Sequence, residues 1–348
     1  MSLEQGGLAI VEQRVTNIAD AVGGASAAPL TVNWLESTLP MPRRADTLTQ
    51  FTGRWPLEKQ PRTAAMPSGS VTCECRHGKT SHESPWMFIA SDGEPKWSEG
   101  EIWACHLAWS GNQTYRIDNL PPHETLIGAG ELLGPGEMQH ADRIWASDSN
   151  DPRDRVDIQR YTELIVPPEM IGAHVGPSPA HSTWRATELS YRAAISLEGC
   201  SGFEWNILEC SDEEADQLRA FVSLYKELRG VLHHGTVMHS DFKDPALRGR
   251  GVVSCDGTHA VWVVVTVTNL RDILTERLRM PGLDADRMYR VRLRDEVGEV
   301  RWGWNTPQWM SAAQMNGFKV SGRLLGEVGL QLPPLWPLEA MVLDVEAM

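Results

Sequence analysis

One acidic residue, Asp148, stands where a short apolar strand stops and a helix begins. Residues 144–145 favour a strand, and residues 147–150 break that pattern. Asp151 is typical of a helix N-cap, with Pro152 at the first helical position. The spacing therefore predicts that Asp148 lies at the carboxyl end of a strand, where a (β/α)8 barrel keeps its catalytic groups. A carboxyl group in that place can donate and accept a proton.

The helix predicted after Asp151 positions this acid, and its apolar side chains fall on one face. The residues expected to point inward are Val156, Ile158, Tyr161, Leu164 and Ile165. A purely structural interpretation is also open, in which Asp148 and Asp151 only cap this helix. For Asp151 we adopt that interpretation.

Composition excludes several classes of function. The 348 residues carry a net charge of −14, and the acids are spread along the chain, which argues against a nucleic-acid or anionic-membrane partner. The sequence shows neither a secretory signal nor an apolar run of membrane-spanning length, so we expect a soluble, cytoplasmic protein.

Cysteine and histidine spacing predicts no metal site and no cofactor. The six cysteines form no C-x2-C pair and are expected to be reduced thiols. His233, His234 and His239 have no carboxylate or cysteine nearby at convincing ligand spacing, so a solvated loop is expected there.

The chain divides into three predicted parts. Residues 1–137 are β-rich, and the large side chains of residues 101–109 alternate as in a sandwich strand. Residues 138–230 are mainly helical with one or two strands. Residues 231–348 return to short strands separated by Gly/Pro turns, which is typical of an antiparallel sandwich.

The clearest helix of the central part spans residues 211–229. Ser211 and Glu214 form a capping box, and the following apolar residues recur at helical spacing. Gly230 is predicted to end this helix.

Several motifs, in order along the chain, resemble glycoside hydrolase family 36, the microbial α-galactosidases. These motifs are residues 76–85, 101–112, 128–137, 144–148, 159–162, 167–177 and 202–206. The resemblance covers most of residues 30–348. It implies a partial N-terminal β-supersandwich over 1–137, a (β/α)8 barrel remnant over 138–230, and a C-terminal antiparallel β-sandwich over 231–348.

The resemblance also implies roles for single residues. Asp148 matches the acid/base of a retaining α-galactosidase, and Trp55 resembles a loop tryptophan that lines the sugar site. Trp55 could equally be a core ring. His174 is interpreted as structural, and the tryptophans between residues 302 and 309 are interpreted as core rather than as a sugar-stacking patch.

The sequence departs from the family where the nucleophile should be. After Glu137 the resemblance jumps to nearly the end of the barrel, so the Lys-Trp-Asp segment that carries the nucleophile is missing. Lys96 and Trp97 are followed by Ser98, not by aspartate. A complete barrel needs about 250 residues, but only residues 138–230 lie between the two β-rich parts. The chain therefore cannot close a barrel, and we interpret it as carrying an internal deletion.

Two hypotheses follow. The chain is a family 36 α-galactosidase that is inactive or impaired, acting on raffinose- or melibiose-type galactosides if active, with homo-oligomers possible. Alternatively it is a non-catalytic, carbohydrate-binding β-sandwich protein left by an internally deleted gene.

In either case the fold is expected to be mainly β with a small α-rich remnant. Apolar faces along Leu164, Ile165, Met170 and Ile171 are expected to be exposed.

Overall fold

The computed structural model describes residues 2–3, 7–16, 32, 35–53, 55–76, 87–107, 111–120, 124–131, 143–272 and 274–348. It divides into two compact units. Unit 1 comprises Met1–Thr52, Pro61–Glu94 and Ile102–Gln139, and unit 2 comprises Gly53–Gln60, Pro95–Glu101 and His140–Met348. The predicted boundary at 137/138 falls outside the described residues, and the three-part division stays a prediction.

Unit 1 is built from antiparallel strands. They are β1 (Ser2–Leu3), β2 (Ala9–Ile10), β3 (Glu36–Met41), β4 (Thr47–Thr52), β5 (Gln60–Ala65), β6 (Gly69–Cys75), β7 (Phe88–Ser91), β8 (Ile102–Cys105), β9 (Gln113–Leu120) and β10 (Glu124–Glu131). Beside the β1-β2 pair they form two four-stranded sheets, ordered β3-β10-β9-β6 and β5-β4-β7-β8. Leu48 and Phe88 of one sheet pack against Tyr115 and Ile117 of the other, which makes a sandwich core.

Unit 2 carries the helices and a second group of strands. Its elements are β11 (Ile144–Trp145), α1 (Pro152–Thr162), β12 (Ile171–Val175), α2 (Leu189–Ser196), β13 (Cys200–Phe203), α3 (Asp212–Leu232), β14 (Thr236–Ser240), β15 (Leu247–Val253), β16 (His259–Thr266), β17 (Arg277–Leu278), β18 (Met288–Arg294), α4 (Gln308–Met315), β19 (Phe318–Ser321), β20 (Leu330–Gln331) and β21 (Ala340–Ala347). Strands β11, β12 and β13 form a parallel three-stranded sheet. A closed barrel has eight such strands.

The C-terminal strands form a six-stranded antiparallel sheet, ordered β14-β15-β16-β21-β18-β19. One face packs on α2 and α3, and the other packs on α4 and the two-stranded β17-β20 ribbon. Because both faces are covered, residues 260–266 of β16 are all buried and carry no polar alternation. Gly251 lies opposite Trp262, and a Cβ at Gly251 would meet the indole at 2.3 Å, so glycine makes room for this fully buried ring.

The predicted mainly-β fold with an α-rich remnant is confirmed, but four local expectations are wrong. Trp304, expected in the core, is 82% exposed. Helix α3 continues through Gly230 to Leu232, because Leu228 and Leu232 extend its buried stripe. His239 is buried in β14 rather than in a solvated loop. Among Leu164, Ile165, Met170 and Ile171, none is exposed: the first three are half-buried and Ile171 is 1% exposed.

The apolar side chains that do reach solvent lie elsewhere in unit 2. The large exposed ones near the parallel sheet are Trp145, Trp184, Phe203, Ile207 and Leu208. All six cysteines are free thiols. No helix in the described part of the chain combines the length and apolar character needed to cross a membrane.

Candidate active site at the carboxyl edge of the parallel sheet

The carboxyl ends of β11, β12 and β13 form one edge, called the carboxyl edge here. Asp148 follows β11, His174 lies near the end of β12, and Glu204 follows β13. The Asp148 side chain is exposed, whereas Ser147 and Ser149 on either side of it are buried. The local fold therefore points this one carboxylate to solvent.

A buried arginine holds the loop that carries Asp148 through hydrogen bonds to its backbone. Arg155, on α1, is 2% exposed and donates to the carbonyl oxygens of Ser147 at 3.2 Å, Ser149 at 3.1 Å and Gly172 at 2.8 Å. Burial lowers the pKa of Arg155 to about 10, so its guanidinium stays charged at neutral pH. Arg155 thus joins the ends of β11 and β12 under Asp148.

Segment Gly53–Gln60 adds a second support. The Ser147 hydroxyl donates to the buried Glu58 carboxylate, with both oxygens at 2.9 Å, and accepts from the Ser149 backbone N–H at 3.0 Å. The Lys59 ammonium donates to the Ala146 carbonyl at 2.9 Å. Burial lowers the pKa of Lys59 to about 8. Trp55, on the same segment, is half-exposed, so it is not the core ring that the sequence left open.

Asp151 behaves as the predicted N-cap. It is fully buried, accepts from the Arg153 backbone N–H at 2.9 Å, and also binds the Thr183 hydroxyl and the Arg185 guanidinium. These bonds satisfy its oxygens, so Asp151 is structural. They also tie the loop after β12 to the acid segment.

Two residues of the carboxyl edge were given no site role by the sequence. Trp184 follows Thr183 in the loop after β12, its ring is 80% exposed, and its φ is 59°. A bulky residue in that backbone region is held there by its surroundings. Glu204 places an oxygen 2.6 Å from Nε2 of His174. In the sequence, only their residue types mark Trp184 and Glu204, and both types are common in ordinary loops.

His174 is 7% exposed and lies under the Trp145 ring, with ring centroids 5.0 Å apart. Burial, reinforced by the Arg155 charge, lowers the pKa of His174 to about 3, so the ring is neutral near pH 7. Nδ1 of His174 has no hydrogen-bond partner among the described residues. A neutral ring under an exposed tryptophan suits a positioning role better than proton transfer.

Lys96, Trp97 and Ser98 do not reach the carboxyl edge as a nucleophile segment would. The backbone N–H groups of Trp97 and Ser98 donate to the Asp241 carboxylate at 2.8 and 2.7 Å. The Trp97 ring lies 4.2 Å from the His239 ring. This segment therefore packs within unit 2 and has a structural role.

Ligand atoms of His259, Asp344 and Glu346 lie within 4.8 Å of one another. Arg292 and Arg294 already donate to the Asp344 carboxylate at 2.7 and 3.0 Å. This cluster is an ion-pair network, and we assign no metal to it.

Three family profiles match the chain in order. "Glycosyl hydrolase family 36 N-terminal domain" matches residues 4–139, "Melibiase" matches residues 116–235, and "Glycosyl hydrolase family 36 C-terminal domain" matches residues 250–344. The chain belongs to glycoside hydrolase family 36. Its Melibiase match, residues 116–235, includes the three parallel strands.

Named relatives agree with this family. An α-galactosidase from Escherichia coli is 34% identical over 243 residues, which cover 67% of this chain and 34% of that protein. α-Galactosidase Mel36A from Lactobacillus acidophilus is 32% identical over 174 residues, covering 50% of this chain and 24% of that protein. The chain therefore spans about a third or less of these curated relatives.

Solved structures share the fold. The α-galactosidase from Lactobacillus brevis gives a TM-score of 0.74 at 13% identity, covering 90% of this chain and 75% of that one. A variant of α-galactosidase AgaA from Geobacillus stearothermophilus, solved with raffinose, gives 0.73 at 13% identity, covering 89% and 76%.

Proposed function

We propose that this chain keeps the acid/base half of an α-galactosidase site and does not complete hydrolysis alone. The proposal rests on the exposed Asp148 carboxylate at the carboxyl end of β11, in a described parallel sheet of three strands. A retaining glycosidase needs a second carboxyl group about 5–5.5 Å from the first, as nucleophile. The Lys-Trp-Asp segment that supplies it in the family, by the resemblance, does not occur in this sequence.

The position of Asp148 also argues that its chemistry is unassisted. An acid/base carboxyl needs a raised pKa, which comes from burial and from a neighbouring carboxylate. Asp148 is exposed, and the buried Glu58 nearby is already engaged by the Ser147 hydroxyl. Asp148 therefore has the placement that the family resemblance implies, in an exposed position.

Hydrolysis of nitrophenyl α-galactoside tests this directly. We expect pure protein to release nitrophenol no faster than buffer, and Asp148→Asn to behave the same. Nitrophenyl α-glucoside serves as the substrate control. Clear turnover of the galactoside that disappears in Asp148→Asn would overturn the proposal, because a complete two-carboxyl site would then exist.

The exposed tryptophans favour a second candidate, binding of galactosides without cleavage. Trp55 and Trp145 are 50% and 64% exposed, and both belong to unit 2 with Asp148. Flat indole rings suit the apolar faces of sugars. In this candidate Trp55 lines the sugar site, as the family resemblance implies.

Calorimetric titration with raffinose and melibiose tests the second candidate. We expect saturable binding that Trp55→Ala weakens about tenfold, or about 1.4 kcal/mol. Trp304→Ala is the matched control, because Trp304 is 82% exposed in the C-terminal β region. Equal loss in both variants, or no heat from wild type, would exclude this candidate.

A cytoplasmic location, supported by the six free thiols, and a homo-oligomeric state remain proposals.

A further inference from the structure

A cavity of about 600 Å³ opens in unit 2 at the amino ends of the parallel strands. Arg143 precedes β11, Cys200 begins β13, and the C-terminal half of α3 closes one side. The carboxyl edge with Asp148 is at the opposite ends of the same strands. The cavity is thus separate from the proposed glycosidase site, and its volume is that of a small-ligand site.

Positive charge dominates its lining. Arg143, Lys226 and Arg229 all contribute, and within the described ranges none of the three forms an ion pair. The one acid of the lining, Glu227, is neutralised by two hydrogen bonds from Arg294, at 2.9 and 2.8 Å. Three exposed cations, with no ion-pair partner among the described residues, therefore line one cavity in a chain whose net charge is −14.

A polar, uncharged wall faces these cations. The Tyr225 hydroxyl accepts from the Ser201 backbone N–H at 3.2 Å and lies 2.9 Å from Nε2 of His233. The Tyr225 and His233 ring centroids are 5.8 Å apart. Burial lowers the pKa of His233, although the Glu169 carboxylate acts in the opposite sense, so the ring is neutral near pH 7. The wall can contact an uncharged organic group.

Helix electrostatics explains only part of this arrangement. Arg229 lies in the last turn of α3, where a cation interacts favourably with the helix dipole. Arg143 lies outside α3, before β11, so a preference for basic residues in the last turn of α3 does not account for it. Arginine and lysine together bind phosphate oxygens well, because a guanidinium can donate two parallel hydrogen bonds and an ammonium adds a compact charge.

We propose that this basic cavity binds a phosphorylated small molecule. Arg143, Lys226 and Arg229 hold the phosphate oxygens, and the Tyr225–His233 wall contacts the organic part. This site does not depend on hydrolysis at Asp148.

Calorimetric titration with inorganic pyrophosphate, at constant ionic strength, tests the proposal. We expect one saturable site, and Arg143→Ala and Lys226→Ala should each weaken it about tenfold. Arg219→Ala is the control, because Arg219 lies on the same helix but is paired with Asp216. A melting curve of each variant confirms that the fold is intact, and Asp148→Asn should bind as wild type does.

Two results would contradict the proposal. No saturable binding up to about 10 mM would overturn the proposal. So would equal weakening by Arg219→Ala, since it would show only general attraction between the anion and surface cations. A failed galactoside assay would leave this result untouched.

Discussion

Replacing Glu163 with glutamine is expected to lower the free energy of unfolding by about 3–5 kcal/mol. Glu163 follows the last residue of α1 and accepts from Nε of Arg250 at 2.8 and 3.0 Å. The two side chains are only 3% and 5% exposed. Removing the carboxylate leaves a charged guanidinium in the interior without its partner, and this penalty exceeds that of a lost surface pair.

The environment of Glu163 supports this expectation. Burial alone would raise its pKa, but Arg250 and the His239 ring, 3.4 Å away, hold the pKa below its usual range. The carboxylate is therefore charged in the folded protein across neutral pH. It ties the helix after Asp148 to β15, so its loss loosens the support of the carboxyl edge.

Urea denaturation measures the effect, and Glu327→Gln is the control. Glu327 pairs with Arg323 at 3.3 Å, but both side chains are more than half exposed. That substitution should cost no more than about 1 kcal/mol. Equal losses in the two variants would contradict the prediction. Substituting Glu163→Leu together with Arg250→Met should recover part of the stability, because no buried charge is then left unpaired.

The second large effect is a pH-dependent gain from Glu198→Gln. Glu198, in the turn between α2 and β13, is 5% exposed and accepts from Nε2 of Gln159 at 3.3 Å. Burial raises its pKa from 4.5 to about 7, against the charges of Arg250 and Arg160, and Glu163 adds to the rise. The folded protein therefore holds a proton at Glu198 that the unfolded chain releases near pH 4.5.

The sign of the effect follows from proton linkage. Between about pH 4.5 and pH 7 the folded state binds more protons at Glu198 than the unfolded state, so this group's contribution falls as pH rises. One pKa unit corresponds to about 1.36 kcal/mol, so the full change is on the order of 3 kcal/mol. Glutamine does not titrate and should remove this dependence.

Unfolding free energies at pH 5 and pH 8 test the prediction. The stability of Glu198→Gln relative to wild type should rise between the two values. Glu327→Gln should show no comparable change. Burial lowers the pKa of His239 to about 4, so this residue also contributes to the pH dependence, but it is present in both proteins and cancels from the comparison. A difference between Glu198→Gln and wild type that stays constant with pH would exclude a raised pKa at Glu198.

Local signals predicted much of the scaffold around Asp148. Asp151 caps α1, Pro152 begins it, and Ser211 and Glu214 form the capping box of α3 as expected. These features depend on hydrogen bonds within one turn of helix, which neighbouring residues fix.

Burial was predicted less well, because it depends on residues distant in the sequence. The face of Leu164, Ile165 and Met170 was expected to be bare, yet all three are half-buried. Conversely, the sequence analysis assigned nothing to Glu163 and Glu198, whose side chains packing places in the interior near Arg250. Charge pairing across 87 residues has no local pattern.

The sequence by itself determined the family, the mainly-β fold and the candidate acid, since ordered motifs and hydrogen bonds within single turns are encoded by adjacent residues. Only the tertiary structure showed that Asp148 is exposed above buried Arg155, that Trp55 and Trp184 reach solvent, and that three cations share one cavity. Solvent access and the convergence of charges depend on how separate elements pack.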